Sequence, residues 1–202
     1  MDEVGRGSVF GPVAVGSVLI LPGDQKNIMD PVWREQNSWL SQVDDSKKLS
    51  IQKREILYPR ILNTFKTHVS FVSADCIDKN NINEAIRMGV FANYRYFERK
   101  YPKTVDAIVL DGNYRFSYEE TLLLHPMPPI LSVVKGDQKC LSVALASIVA
   151  KVKRDALIRK MSVRFPGYAL EKNAGYGTKG HLNAIREKGL LPYHRKTFLK
   201  NI

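Results

Sequence analysis

Apolar positions follow two periods along the chain, and the two alternate. Residues 13–21 (VAVGSVLIL) form a nearly continuous apolar run, the pattern of a buried strand. Residues 67–73 (THVSFVS) alternate and predict another strand. Short apolar stretches at 106–111 (DAIVLD) and 129–134 (PILSVV) predict two more. Between them the period changes to that of a helix. Ser50 is a candidate N-cap for a helix over 51–65, with Ile51, Glu55, Tyr58 and Leu62 at helical spacing and Pro59 expected to kink or split it. Residues 82–101 place Ile82, Ile86, Val90 and Phe97 on one helical face. A long helix is predicted over 141–165, stopped by Pro166 and Gly167. A Gly-rich loop, a helix around 181–188 and a basic tail complete the chain. Residues 22–44 carry Pro22, Gly23 and Pro31 and predict a long loop or insertion, pinned to the body by Trp33 and Trp39.

Strands and helices alternate without repeats or linkers. This predicts an α/β fold with a mixed central sheet flanked by helices. The 202 residues suit one domain, 1–202, with a C-terminal helical extension from about 166 packed on it. The early apolar run resembles a signal-peptide core, but Asp2 and Glu3 precede it and no small-residue cleavage pattern follows. It is also too short to cross a bilayer. The expectation is a cytoplasmic monomer with no membrane contact. Cys76 and Cys140 lack the spacing of a zinc site or a disulfide framework and are expected as reduced thiols.

Charge adds a partner class. Lys plus Arg number 31 and Asp plus Glu 20, a net +11. Such an excess favours a polyanion, because each neutralised phosphate releases counterions. Charge alone does not separate a nucleic-acid binder from a soluble protein that happens to be basic.

The acids are more specific. Asp111 closes an apolar strand, Asp137 follows another by a short turn, and Asp2 and Glu3 precede Gly5, Arg6 and Gly7. Acids just past buried strands face the crevice where α/β proteins bind ligands. An oxygen-only donor set suits Mg²⁺ or Mn²⁺, and two such ions can drive in-line phosphodiester hydrolysis. Asp is also common in turns, and spacing alone leaves open whether these acids converge. Neighbours in a strand point to opposite faces. The Asp2–Glu3 pair is therefore expected to leave regular strand geometry, beside an α-amino group that would be charged.

Seven segments, in order, resemble ribonuclease HII: MDEVGRGSVFGPV at 1–13, DDSKKLS at 44–50, VLDGN at 109–113, VVKGD at 133–137, ASIVAKVKRD at 146–155, GYGTKGH at 175–181 and HRKTF at 194–198. The resemblance implies a ribonuclease H-like fold. It implies an endonuclease that cuts the RNA strand of RNA/DNA hybrids and cuts 5′ of ribonucleotides embedded in duplex DNA, starting ribonucleotide removal and clearing primers. It makes Asp2, Glu3, Asp111 and Asp137 catalytic metal ligands for Mn²⁺ or Mg²⁺. It makes Gly5, Arg6 and Gly7 a loop that reads the ribose 2′-OH, mainly through backbone groups, and Tyr176 a residue that packs on a sugar at the junction. Ser46, Lys47 and Lys48 are expected to meet phosphates, with Lys48 and its neighbours otherwise a solvated basic turn. Asp155 is expected as a supporting acid, or as a surface partner of Lys151. His181 and His194 are expected in structural or substrate-contact roles. Two other readings stand beside this one. Ribonuclease HIII is related, but usually carries an extra N-terminal domain and a GKG-like loop. A hybrid-binding protein impaired in catalysis is suggested because only Met1 precedes Asp2 in the first strand.

Overall fold

The computed structural model describes residues 1–114 and 128–200. Strand β1 (Asp2–Val4) pairs antiparallel with β2 (Val13–Leu19), and β2 pairs antiparallel with β3 (Lys66–Val72). Strands β4 (Ile108–Asp111) and β5 (Ile130–Val133) pair parallel. Met1 joins the two sheets: its amino group donates to the Val109 carbonyl and its own carbonyl accepts from the Asp111 amide. The strands therefore lie side by side in the order β3-β2-β1-β4-β5.

Helices cover both faces, and the residues of β2 decide which face takes which helix. Val13 and Val15 point to helix α5 (Ile82–Lys100) and join Ile77, Ala85, Ile86, Val90, Ile108 and Leu110 in one core. Gly89 of α5 leaves room for Val15, since a Cβ there would come within 2.5 Å of it. Gly16 points the other way, to the long helix α7 (Leu141–Arg164). On that face α7 and α3 (Ile51–Thr64) bury Leu57, Ile61, Phe65, Leu145, Ile148 and Val149. Short α4 (Ala74–Asn80) leads into α5, and short α6 (Gly136–Lys139) leads into α7.

Beyond Arg164 the chain folds back over the start of the sheet. Helices α8 (Leu170–Asn173) and α9 (Lys179–Lys188) bury Tyr168, Leu170, Ala184, Ile185 and Leu199 against Val9, Phe10 and Ile158.

Three local expectations are corrected. Residues 22–44 are largely helical, with α1 (Pro22–Met29), α2 (Pro31–Gln36) and a 3₁₀ turn (Ser38–Gln42). Pro22 and Pro31 both open helices, where a missing N–H costs nothing. Asp30 caps α2 by accepting from the Val32 amide. Trp39 is buried as expected, in the core with Leu57 and Ile61. Helix α3 runs through Pro59 without a break, because Pro59 is exposed and the carbonyl it strands can turn to water. The inward face of α3 is Arg54, Leu57 and Ile61, while Ile51 and Leu62 are exposed. Finally, Asp2 and Glu3 do not leave strand geometry. They pair in regular register with Gly16 and Val15.

Candidate active site

That register governs the site. Directly paired residues share a face, so Asp2, opposite Gly16, lies on the α7 side and Glu3, opposite Val15, on the α5 side. Each joins a different group of neighbours at the ends of β1 and β4.

On the α7 side stand Asp2, Asp111 and Asp137. Asp111 closes β4, and its Oδ1 accepts from the Gly136 amide at 2.6 Å. Lys135 holds a left-handed conformation (φ 57°) that turns the chain from β5 into α6, which carries the buried Asp137. Asp45, from the loop before α3, lies close enough to Asp137 to help raise its pKa. Lys47 brings a positive charge to this group. Burial disfavours its charge, but Asp2, Asp45, Asp137 and Asp111 outweigh that and raise its pKa.

On the α5 side Glu3 meets Tyr114, whose hydroxyl donates to Glu3 Oε1 at 2.9 Å. Arg6 Nη1 donates to the same hydroxyl at 2.7 Å, and Arg6 Nη2 donates to Asn83 Oδ1 at 2.6 Å. Glu3 Oε2 is buried and has no hydrogen-bond partner.

The carboxyls are held in an unfavourable state. Burial, then the charges of Glu3 and Asp111, push Asp2 up to about 8. Burial raises Glu3, against the opposing pull of the Tyr114 hydrogen bond and Arg6. Asp137 is raised by burial, then by Asp111 and Asp45. The amino group of Met1 is lowered to about 6 by burial. Burial thus works against the charge expected there, with Asp2 and Asp111 opposing it. Crowded acids with too little compensating charge, and one orphaned carboxylate oxygen, are what a cation would relieve. The donors are all oxygens, as a hard divalent ion requires. Among the described residues no three Asp, Glu, His or Cys side chains already stand together as a metal cage. The residues fit Mg²⁺ or Mn²⁺, with Asp2, Glu3, Asp111 and Asp137 as the groups that would hold it.

Beside the acids the loop at Gly5, Arg6 and Gly7 lies against the loop at Gly175 to Gly177. The amides of Val9 and Phe10 both donate to the Gly175 carbonyl, and Ser8 bridges to Tyr176. Two buried guanidiniums lock this ridge. Arg154 donates to Pro12 O, Ala174 O, Phe10 O and Ser8 Oγ at 2.8–3.2 Å. Arg195 donates to Gly11 O at 3.0 Å and Arg6 O at 2.8 Å. Gly5 has φ +86°, and a Cβ there would lie 2.1 Å from Arg154 Nε. Glycine is therefore required by both conformation and space. Arg6 and Gly7 are exposed, and Tyr176 is 37% exposed with the Arg154 guanidinium 5.8 Å from its ring centre.

Other expected residues fall around this centre. Lys48 is exposed and pairs with Asp44. Ser46 is buried, its amide donating to Ser147 Oγ and its carbonyl accepting from Arg54. Asp155 pairs with Lys151 at 2.9 Å. His181 and His194 are fully buried, their Nε2 atoms 3.2 Å apart, and so lie out of reach of a docked duplex. Asp45, Arg54, Tyr114, Arg154 and Arg195 join the site although no motif assigns them a role. Asp45 and Arg195 sat inside quoted motifs, whereas Tyr114 and Arg54 carry no sequence signal of their own.

A family model described as ribonuclease HII matches residues 1–201. The ribonuclease HII of Rickettsia bellii (strain OSU 85-389) is 38% identical over 200 residues, spanning 99% of this chain and 88% of that protein. That of Rickettsia akari (strain Hartford) is 39% identical over 198 residues, spanning 98% and 89%. Among solved structures, the ribonuclease H2 of Pyrococcus horikoshii OT3 aligns with a TM-score of 0.71 at 25% identity, covering 97% of this chain and 90% of that one. A chain from the PCNA:RNase HII complex of Archaeoglobus fulgidus aligns at 0.73 with 24% identity, covering 100% and 93%. Bst-RNase HIII in complex with Mn²⁺ shares the fold at 0.63 and 19% identity, covering 98% and 62%.

Proposed function

Because the chain belongs to the ribonuclease HII family and is a ribonuclease H endonuclease, we propose that it cuts duplex DNA on the 5′ side of an embedded ribonucleotide, as well as the RNA strand of RNA/DNA hybrids. The family match argues against the ribonuclease HIII alternative. The observation that carries the proposal is adjacency. The ridge of Arg6, Gly7 and Tyr176 continues directly from β1, which carries Asp2 and Glu3, and Arg6 reaches Glu3 through Tyr114, so a sugar read at the ridge would present its phosphate toward the acids.

The exposed backbone at Arg6 and Gly7 can approach a ribose closely, and the 2′-OH is the group that distinguishes RNA from DNA. Tyr176 offers a ring face to the neighbouring sugar. Its loop is fixed from behind by Arg154. Lys47 and Lys48 stand before the N-terminus of α3, a position that favours phosphate. Asp2, Glu3, Asp111 and Asp137 would hold two Mg²⁺ or Mn²⁺ ions. Bound there, the ions supply charge for activating water and for stabilising the departing 3′-oxygen, leaving 5′-phosphate and 3′-hydroxyl ends. The role implied is ribonucleotide removal and primer clearance in the cytoplasm, by a monomer acting as one domain over 1–202, with residues from about 166 as its packed extension.

The test is cleavage of a duplex carrying one ribonucleotide, with Mg²⁺ and Mn²⁺ in parallel. Asp111→Asn should abolish cleavage while hybrid binding stays within a few-fold of wild type. Cleavage by that variant at saturating metal would overturn the acid site. Binding without cleavage by the wild type would favour the impaired-binder reading. Against that reading, Met1 is hydrogen-bonded to β4 through both its amine and its carbonyl, which keeps Asp2 in the sheet.

A further inference from the structure

Tyr114 has no part in the function described so far, yet it touches both halves of the site. Its carbonyl accepts from Ser132 Oγ at 2.6 Å, which ties it to β5. Its ring lies over Gly112, where a Cβ would come within 3.0 Å of it, one residue after Asp111. So anchored, its hydroxyl accepts from Arg6 Nη1 and donates to Glu3 Oε1. The Arg6 guanidinium also sits 5.7 Å from the ring centre and is held at its far side by Asn83, in the first turn of α5. A chain of donors thus runs Arg6 to Tyr114 to Glu3. It ends on a carboxylate whose other oxygen is buried and unpartnered.

We propose that Tyr114 is a positioning residue that holds Glu3 with its free oxygen turned to the cation site, and that links this orientation to Arg6 in the substrate-reading loop. The proposal rests on the reading of Glu3 as a metal ligand. Two consequences follow from the geometry. The Arg6 side chain is already engaged, so what the loop offers a sugar is its backbone. A sugar that shifts Arg6 shifts the group that orients Glu3, so ribose reading and metal affinity are coupled. Groups that orient metal ligands through hydrogen bonds commonly change metal affinity by 10-fold or more.

The experiment measures Mn²⁺ binding to the full chain without nucleic acid, by electron paramagnetic resonance or calorimetry. Tyr114→Phe keeps the ring and removes only the hydroxyl. It should weaken Mn²⁺ binding about 10-fold, raise the Mn²⁺ needed for half-maximal cleavage in step, and leave kcat at saturating Mn²⁺ near wild type. Arg6→Lys keeps the positive charge beside Glu3 but loses the fork that reaches both Tyr114 and Asn83; it should weaken binding too, but add little in the Tyr114→Phe background, because both act through one chain of bonds. Wild-type Mn²⁺ affinity in Tyr114→Phe, or strictly additive effects of the two substitutions, would overturn the proposal. If Tyr114→Phe does not fold, Arg6→Lys decides it by the same affinity shift, since the charge beside Glu3 is kept. Glu3→Gln separates the two levels. If it binds Mn²⁺ like wild type, the metal-ligand reading itself falls and the Tyr114 proposal with it. If it loses Mn²⁺ while Tyr114→Phe does not, only the Tyr114 proposal falls.

Discussion

His181 and His194 show how much one proton can fix. The His194 Nδ1 atom accepts from the Leu191 amide, so its Nε2 must carry the proton and donate to His181 Nε2. His181 Nε2 is then the acceptor, and its Nδ1–H donates to the Tyr176 carbonyl. Both rings are neutral, and the pair secures the loop that presents Tyr176. Burial, then the neighbouring His181, lowers His194 from 6.5 to about 4. Between those values the unfolded chain binds the proton and the folded one does not. The contribution is therefore complete above pH 6.5 and is lost as pH falls toward 4. At about 1.4 kcal/mol per pH unit it amounts to roughly 3 kcal/mol. The raised Asp2 works in the opposite sense, since its protonated form suits the fold and its contribution fades as pH rises from 3.8 to about 8. Comparing wild type with His194→Gln cancels the Asp2 contribution. Urea unfolding should show the wild type losing about 2 kcal/mol relative to the variant between pH 7 and pH 4.5. A constant difference across that range would refute the neutral pair.

At the scale of elements, the distance between β2 and α7 sets the position of Asp2, because Gly16 is its partner in the sheet. A Cβ at Gly16 would lie 2.4 Å from the Ala146 carbonyl and 2.8 Å from Ala150 Cβ. Backbone cannot yield cheaply, so Gly16→Ala should cost about 1–3 kcal/mol. For a chain of this size that lowers Tm by about 2–4 °C per kcal/mol. Gly23, exposed in α1 with nothing within 4 Å, is the control and should be neutral or slightly stabilising as Ala. Equal Tm values for the two variants would contradict the tight β2–α7 contact. The sequence carried part of this architecture openly. The apolar run of β2 and the face of α5 bearing Ile86, Val90 and Phe97 were legible because burial imposes their period. Residues 22–44 were not, because Pro and Gly mark helix starts as well as loops, and only the capping bonds of Asp24 and Asp30 distinguish the two. Arg154 and Arg195 were hidden for another reason. A basic residue beside candidate phosphate-binding motifs suggests surface, yet these two side chains are 0% exposed and donate mainly to carbonyls from distant segments, with Arg195 Nη2 left buried and unpartnered. Asp2, Glu3, Asp111 and Asp137 were legible as a set through the ordered motifs. Their division between two faces of the sheet was not, since it follows from the β1–β2 register.

Over the whole molecule a net charge of +11 coexists with a site whose own residues are acidic, and binding should report both. The fold thus attracts a polyanion overall, while a cation is needed before a phosphate can settle at the acids. Backbone contacts made by Lys and Arg release counterions, and the slope of log affinity against log salt is about −0.9 per phosphate neutralised on B-form DNA. Asp111→Asn, which should bind without cutting, permits the measurement by fluorescence anisotropy between 50 and 200 mM NaCl. A slope of about −3 or steeper is expected. Lys47→Ala and Lys48→Ala each test one phosphate contact ahead of α3, and each should make the slope shallower by about 1. The two sites differ in their surroundings. Lys48 is already paired with Asp44 at the surface, whereas Lys47 faces the acids. Removing Lys47 also strips positive charge from Asp2 and Asp137. Lys47→Ala should therefore bind Mn²⁺ more tightly than wild type even as it binds the duplex less well, a pairing that loss of a simple phosphate contact would not produce. A salt response near zero in the parent variant would refute phosphate-dominated binding.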